Sequence, residues 1–150
     1  MDAFTLVALF GQESGTPLTL GASGTAALAF ENGPTLHLEH DPASDILHCY
    51  AVLGSAPADA EQRGELFRRL LAANAFGRDT DGAALGLDEI SGDLVLSRRL
   101  ELAHADTASL RATVASMAAV AAHWQAQLGQ SAVDNTDATP AAMPDFGIRA

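Results

Sequence analysis

The feature that most constrains this chain lies near its C-terminal end. Leu110, Val114, Met117, Ala121, Trp124 and Leu128 follow one another at intervals of four and three, the spacing of one continuous apolar seam on an α-helix. Asp106 stands where an N-cap belongs, and Gly129 is expected to end the helix. A helix with such a seam must bury it against a second layer. The chain has 150 residues, enough for one domain and short for two. Hydrophobic residues make up 48% of it, but many are alanine, so the core must come mainly from Leu, Val, Ile and Phe.

The hydropathy period changes repeatedly along the chain. Phe4, Val7 and Ala8 share one helical face, with Leu6 and Phe10 on a neighbouring one. Asp2 and Gly11 are the expected ends of this first helix. Ala26, Leu28 and Phe30 then alternate with Ala27, Ala29 and Glu31, as in a strand. Asn32-Gly33 signals a hairpin. Leu36 and Leu38 form a second alternating run, and Asp41-Pro42 a turn. The stretch from Ile46 to Leu53 is nearly all apolar and is expected to be a strand buried on both faces. These three strands make an antiparallel meander.

Asp59, with Gln62 three residues on, reads as a capping box. Leu66, Phe67, Leu70 and Leu71 then line a helical stripe that fades between Asn74 and Gly77. Ala83, Leu85 and Leu87 alternate, as do Leu94 and Leu96 beyond Ser91-Gly92, giving a second hairpin. The order is helix, three strands, helix, two strands, helix: an α+β class with a mostly antiparallel sheet. Residues 130–150, rich in Ala, Asp, Thr and Pro and without a period, read as a flexible tail following a domain over 1–129.

Charge and cysteine count exclude whole classes of function. Nineteen acids against eight bases give a net charge of −11. Such a body repels phosphate backbones and anionic membrane surfaces, so neither nucleic acid nor membrane is an expected partner. A single Cys49 forms no internal disulfide and builds no thiolate metal site, and the expected compartment is a reducing cytoplasm.

Catalytic constellations fail one after another. His37 and His40 stand three apart on a strand and point to opposite faces. His48 and Cys49 diverge likewise, so they cannot form a nucleophile pair. Asp79-Thr80-Asp81-Gly82 hints at a calcium loop, but neither glycine register puts acids at the ligand positions. Asp88, Glu89 and Asp93 flank a hairpin turn, where carboxylates are normally solvated. Gly21-Ala22-Ser23-Gly24 precedes a strand and does not join strand to helix. The expectation is no enzyme, no cofactor and no metal. What remains is apolar stripes that a partner could cover.

The ordered pattern resembles the Tir-chaperone family, the class I chaperones of type III secretion. The match is carried by Leu66-Phe67-Arg68-Arg69-Leu70-Leu71-Ala72-Ala73-Asn74, then Gly82-Ala83-Ala84-Leu85-Gly86-Leu87-Asp88, Gly92-Asp93-Leu94-Val95-Leu96 and Arg98-Arg99-Leu100-Glu101-Leu102. Trp124 near the end of the last helix also fits. Phe4, Val7, Phe10 and Gly11, then Gly15 and Pro17-Leu18, agree more loosely, and the resemblance covers roughly Phe4 to Leu128. Between Thr25 and Glu39 the chain departs from the pattern, being richer in alanine and less bulky.

The resemblance implies a cytoplasmic bacterial homodimer that uses no ATP and holds the N-terminal, non-globular segment of a secreted effector ready for export. It implies an effector groove made by Phe4, Val7, Phe10, Leu28, Phe30, Leu36 and Leu38. It places Leu66, Phe67, Leu70 and Leu71 in the dimer interface, with Leu85 and Leu87 joining them. Docking on the secretion ATPase stays open, as does the alternative of an adaptor or regulator of the same fold with another protein partner.

Overall fold

The computed structural model describes residues 1–132, with side chains to residue 129. The elements run α1 (Ala3–Ser14), β1 (Thr25–Ala29), β2 (Thr35–Asp41), β3 (Ile46–Ser55), α2 (Ala60–Asn74), β4 (Ala84–Asp88), β5 (Asp93–Glu101) and α3 (Thr107–Ala132). One antiparallel sheet holds all five strands in the order β1-β2-β3-β5-β4. The α+β class and the element order match the expectation. The hairpin β4–β5 joins the meander through pairing of β5 with β3, so β1 and β4 become the two edges.

Helix α3 is the second layer that the seam demanded. Leu110, Val114, Met117, Ala121 and Trp124 are buried against β2, β3 and β5, and Leu128 is half-buried at the end of the seam. The Asp106 carboxylate accepts the Ser109 N–H at 2.7 Å, and this hydrogen bonding holds its carboxyl below the usual carboxylate range. Gly129 does not stop the helix, which continues to Ala132. A single glycine costs a helix only about 1 kcal/mol. The tail expected over 130–150 falls largely outside the described residues.

Helix α1 overruns the expected end at Gly11 and closes at Gly15, whose φ of 70° is the left-handed cap. Gly11 has another purpose. A Cβ there would sit 2.7 Å from the Leu18 nitrogen, so the bare backbone lets the chain after α1 lie directly across the helix.

Strand β3 corrects a second expectation. Leu47, Cys49, Ala51 and Leu53 are buried, whereas Ile46, His48, Tyr50 and Val52 are only half-buried. The helices pack on one face alone, so a continuous apolar run here marks a central strand and not a doubly covered one. His37 and His40 diverge as expected: His37 stacks on Tyr50 with ring centres 5.1 Å apart, and His40 meets the edge of Phe4. The Cys49 thiol, buried on the helix side, is pushed up to about 12 and is inert.

Candidate functional site

Two surfaces stand out, one at each edge of the sheet. At the β1 edge an apolar groove of about 220 Å3 opens between the last turn of α1, the chain leaving it, β1 and the start of α3. Phe10, Leu18, Leu28, Phe30 and Val114 supply its apolar lining. Arg111 closes one rim, its guanidinium 5.7 Å from the centre of the Phe10 ring and 3.3 Å from Glu13. That ion pair is half-exposed on both sides and worth at most about 1 kcal/mol, so it is easily opened.

The backbone beside the groove is free to pair. Phe30 N–H donates to Pro34 C=O at 3.1 Å, and His40 N–H donates to Gly24 C=O at 2.9 Å. Antiparallel ladders alternate, so Ala26 and Leu28, between those bonds, turn their backbone groups toward β2. Ala27 and Ala29 turn theirs outward. Among the described residues these outward groups have no backbone partner outside the strand ladder. The alanines that depart from the family pattern thus leave the edge unobstructed, while Leu28 and Phe30 pack toward the core and groove.

The second surface lies on α2 and β4. Leu66, Leu70 and Ala73 face inward with Leu85 and are buried. One step round the helix, Phe67 is half-buried and Leu71, four residues on, is 71% exposed. Leu87 on β4 is 41% exposed, and Ile90 at the hairpin tip stands in solvent. Just beyond α2, Phe76 is 96% exposed with φ 58° and ψ 18°. A bulky residue in the left-handed region costs about 1–3 kcal/mol, which covering its ring could offset at about 1.5–3 kcal/mol.

The residues expected at each site therefore divide. In the groove set, Phe10, Leu28 and Phe30 line the cavity. Val7, Leu36 and Leu38 are sealed in the core, because the interior face of α1 and β2 is covered by α3, and they offer no surface. Phe4 is 45% exposed but lies against His40, apart from the groove lining. In the interface set, Leu71 and Leu87 are exposed, and Phe67 is half-buried against the core. Leu66, Leu70 and Leu85 belong to the core. Sequence reasoning missed Leu18, Val114 and Arg111 in the groove, and Phe76 and Ile90 on the second face. Pro17-Leu18 directly after a helix stop was the available signal for the first. Nothing in a helical or strand period marks Phe76, because it sits in an irregular turn.

The acids near the second hairpin serve the turn. Asp88 accepts the Ile90 N–H and the Ser91 hydroxyl, and Asp93 accepts the Ser55 hydroxyl. No group of three or more His, Cys, Asp or Glu among the described residues could hold a metal ion. No described helix is long and apolar enough to cross a membrane.

Comparison with known proteins bears on the family and the fold. The profile of the Tir chaperone protein (CesT) family matches residues 5–125, which run from α1 almost to the end of α3. The chain belongs to the Tir chaperone protein family. A Chlamydia pneumoniae protein is 33% identical over 82 residues, and the matched stretch spans 61% of that protein's length and 55% of this chain. Solved structures show the same fold at lower identity. A chain of the HopA1–SchA chaperone–effector complex superposes with a TM-score of 0.67 at 24% identity, covering 81% of this chain and 91% of that one. A chain of the ExsC–ExsE complex gives 0.67 at 24% identity, covering 85% and 97%. A chain of the heterodimeric ExoU–SpcU complex from the type III secretion system of Pseudomonas aeruginosa gives 0.62 at 20% identity, covering 81% and 93%.

Proposed function

We propose that the chain is a cytoplasmic type III secretion chaperone. It binds the N-terminal, non-globular segment of a secreted effector and keeps that segment soluble and competent for export. The observation that carries this reading is the pairing of an open backbone edge at Ala27 and Ala29 with an apolar groove beside it. An extended chain needs both: hydrogen bonds along its backbone and a recess for its apolar side chains. Phe10, Leu18, Leu28 and Phe30 would take the side chains, and β1 the backbone. Membership of a chaperone family, and a fold shared with chains of chaperone–effector complexes, support the same reading.

The face formed by Phe67, Leu71, Phe76 and Leu87 would be covered by a second copy of the chain, giving a two-fold dimer with two grooves. Ordering an extended segment costs several kcal/mol, so doubling the bound surface is useful. The net charge of −11 would keep the complex soluble and speed encounter with a basic segment. The reading includes no reaction and no cofactor.

Affinity capture from the native host, with light scattering on the purified chain, tests this. The expected result is a mass near twice 15.5 kDa and one secreted protein held through its N-terminal region. A monomer that captures only cytoplasmic enzymes would contradict it.

A further inference from the structure

The two edges of the sheet are unequal, and one side chain makes them so. The last residue of α2, Asn74, reaches the outer edge of β4. Its amide nitrogen donates to Leu85 C=O at 2.9 Å, and its amide oxygen accepts the Leu85 N–H at 2.8 Å. The side-chain amide thus does what one residue of a neighbouring strand would do.

The other outward groups of β4 are few. The backbone N–H and C=O of Leu85 point to the outer edge, so those of Ala84, Gly86 and Asp88 turn to β5. Just before the strand, Ala83 N–H donates to Thr80 C=O at 3.0 Å. Within β4 that leaves only Leu87 with outward groups that have no backbone partner among the described residues; the Ala83 C=O, before the strand, lies on the far side of Leu85. A strand pairs through a run of such positions, and one is too few to anchor it. At the other edge Ala27 and Ala29 stand consecutively open.

We propose that Asn74 is an edge lock: by pairing with both backbone groups of Leu85 it closes β4 and directs an incoming extended chain to β1. Exposed edges are the usual route to promiscuous strand pairing. A protein that handles extended chains has particular need to leave only one edge open. The lock's consequence for function rests on the chaperone reading, whereas the lock itself does not.

The test uses the full chain, isotope-labelled, with a short peptide of alternating valine and threonine, lysine-capped at both ends, as the strand probe. Leu71→Asp is present in every sample so that no second copy covers the β4 end. With Asn74 intact, peptide-induced amide shifts are expected at Ala27 and Ala29 and absent at Leu85 and Leu87. Asn74→Leu removes both bonds. It should speed hydrogen exchange at the Leu85 amide by about tenfold or more and add a second set of peptide shifts at Leu85 and Leu87. Asn74→Asp keeps the acceptor and loses the donor. It should keep Leu85 exchange slow yet admit the peptide at the freed Leu85 C=O together with the adjoining groups of Leu87, and being nearly isosteric it guards against a failure of Asn74→Leu to fold.

A merely structural Asn74 would lower the melting temperature and leave the peptide confined to β1. That result in a folded variant overturns the proposal, as do peptide shifts at Leu85 with Asn74 intact. Gain of binding at β4 in the variants, with no shift at Ala27 or Ala29 in any sample, would uphold the lock and remove the β1 reading instead.

Discussion

At the β1 end the sheet presents backbone; at the β4 end the molecule presents side chains. The β1 end combines outward groups at Ala27 and Ala29 with a recess lined by Phe10, Leu18, Leu28 and Phe30. The β4 end has its edge capped by Asn74 and leaves Leu71, Phe76 and Leu87 exposed. An open edge with pockets suits an extended chain, whose own backbone needs partners. Protruding apolar side chains with a satisfied edge suit a folded surface, which in the proposed dimer is a second copy. One small sheet can thus serve two kinds of partner by finishing its edges differently.

The largest expected effect separates core from surface within α2. Leu70→Asp buries an uncompensated charge and should cost about 3–5 kcal/mol, enough to abolish a cooperative melt by circular dichroism. Leu71→Asp, one position on, should leave the melt nearly unchanged and convert the dimer to monomer in light scattering. A dimeric Leu71→Asp chain would remove this face from self-association. Next comes the groove: Phe30→Asp should weaken effector capture by roughly tenfold to a hundredfold in titration calorimetry with the fold intact. Unchanged affinity would remove Phe30 from the site.

A smaller effect isolates the backbone contribution. Ala27→Pro removes an outward N–H without breaking the β1–β2 ladder, and should weaken the same binding by about tenfold while sparing self-association. If affinity holds, the groove binds by side chains alone and the contrast between the two ends fails. The smallest effect lies at the β4 end. Thr80 is fully buried, and its hydroxyl has no hydrogen-bond partner among the described residues. Thr80→Val should therefore raise unfolding stability by about 1 kcal/mol in chemical denaturation without altering either surface. A destabilised variant would mean that the hydroxyl is satisfied in solution.

Much of this was legible in the residues because the elements are strongly periodic. The α3 seam is buried as its spacing required, and the Asp59 cap accepts the Gln62 N–H at 2.9 Å. Element order and class followed from the switches between helical and strand periods. The division of the α2 stripe was not legible. Leu66 and Leu70 differ from Phe67 and Leu71 by one step round the helix, and period alone cannot tell which pair meets β4. The same holds for Leu36 and Leu38: alternation shows that they share a face, but burial by α3 decides that this face is core. The Ile46–Leu53 run misled because a central strand can be apolar on both sides while helices cover only one. Phe76 and Asn74 escaped because their roles arise in the irregular exit of α2, where a left-handed turn and a side chain standing in for a strand leave no periodic trace.

The most direct test is amide hydrogen exchange on the chain with and without the N-terminal segment of the secreted partner proposed above. New protection is expected over Thr16–Phe30 and at the start of α3 around Arg111–Ala115, with Leu85 equally protected in both states. Protection confined to α2 and β4, with the β1 edge exchanging as before, would contradict it.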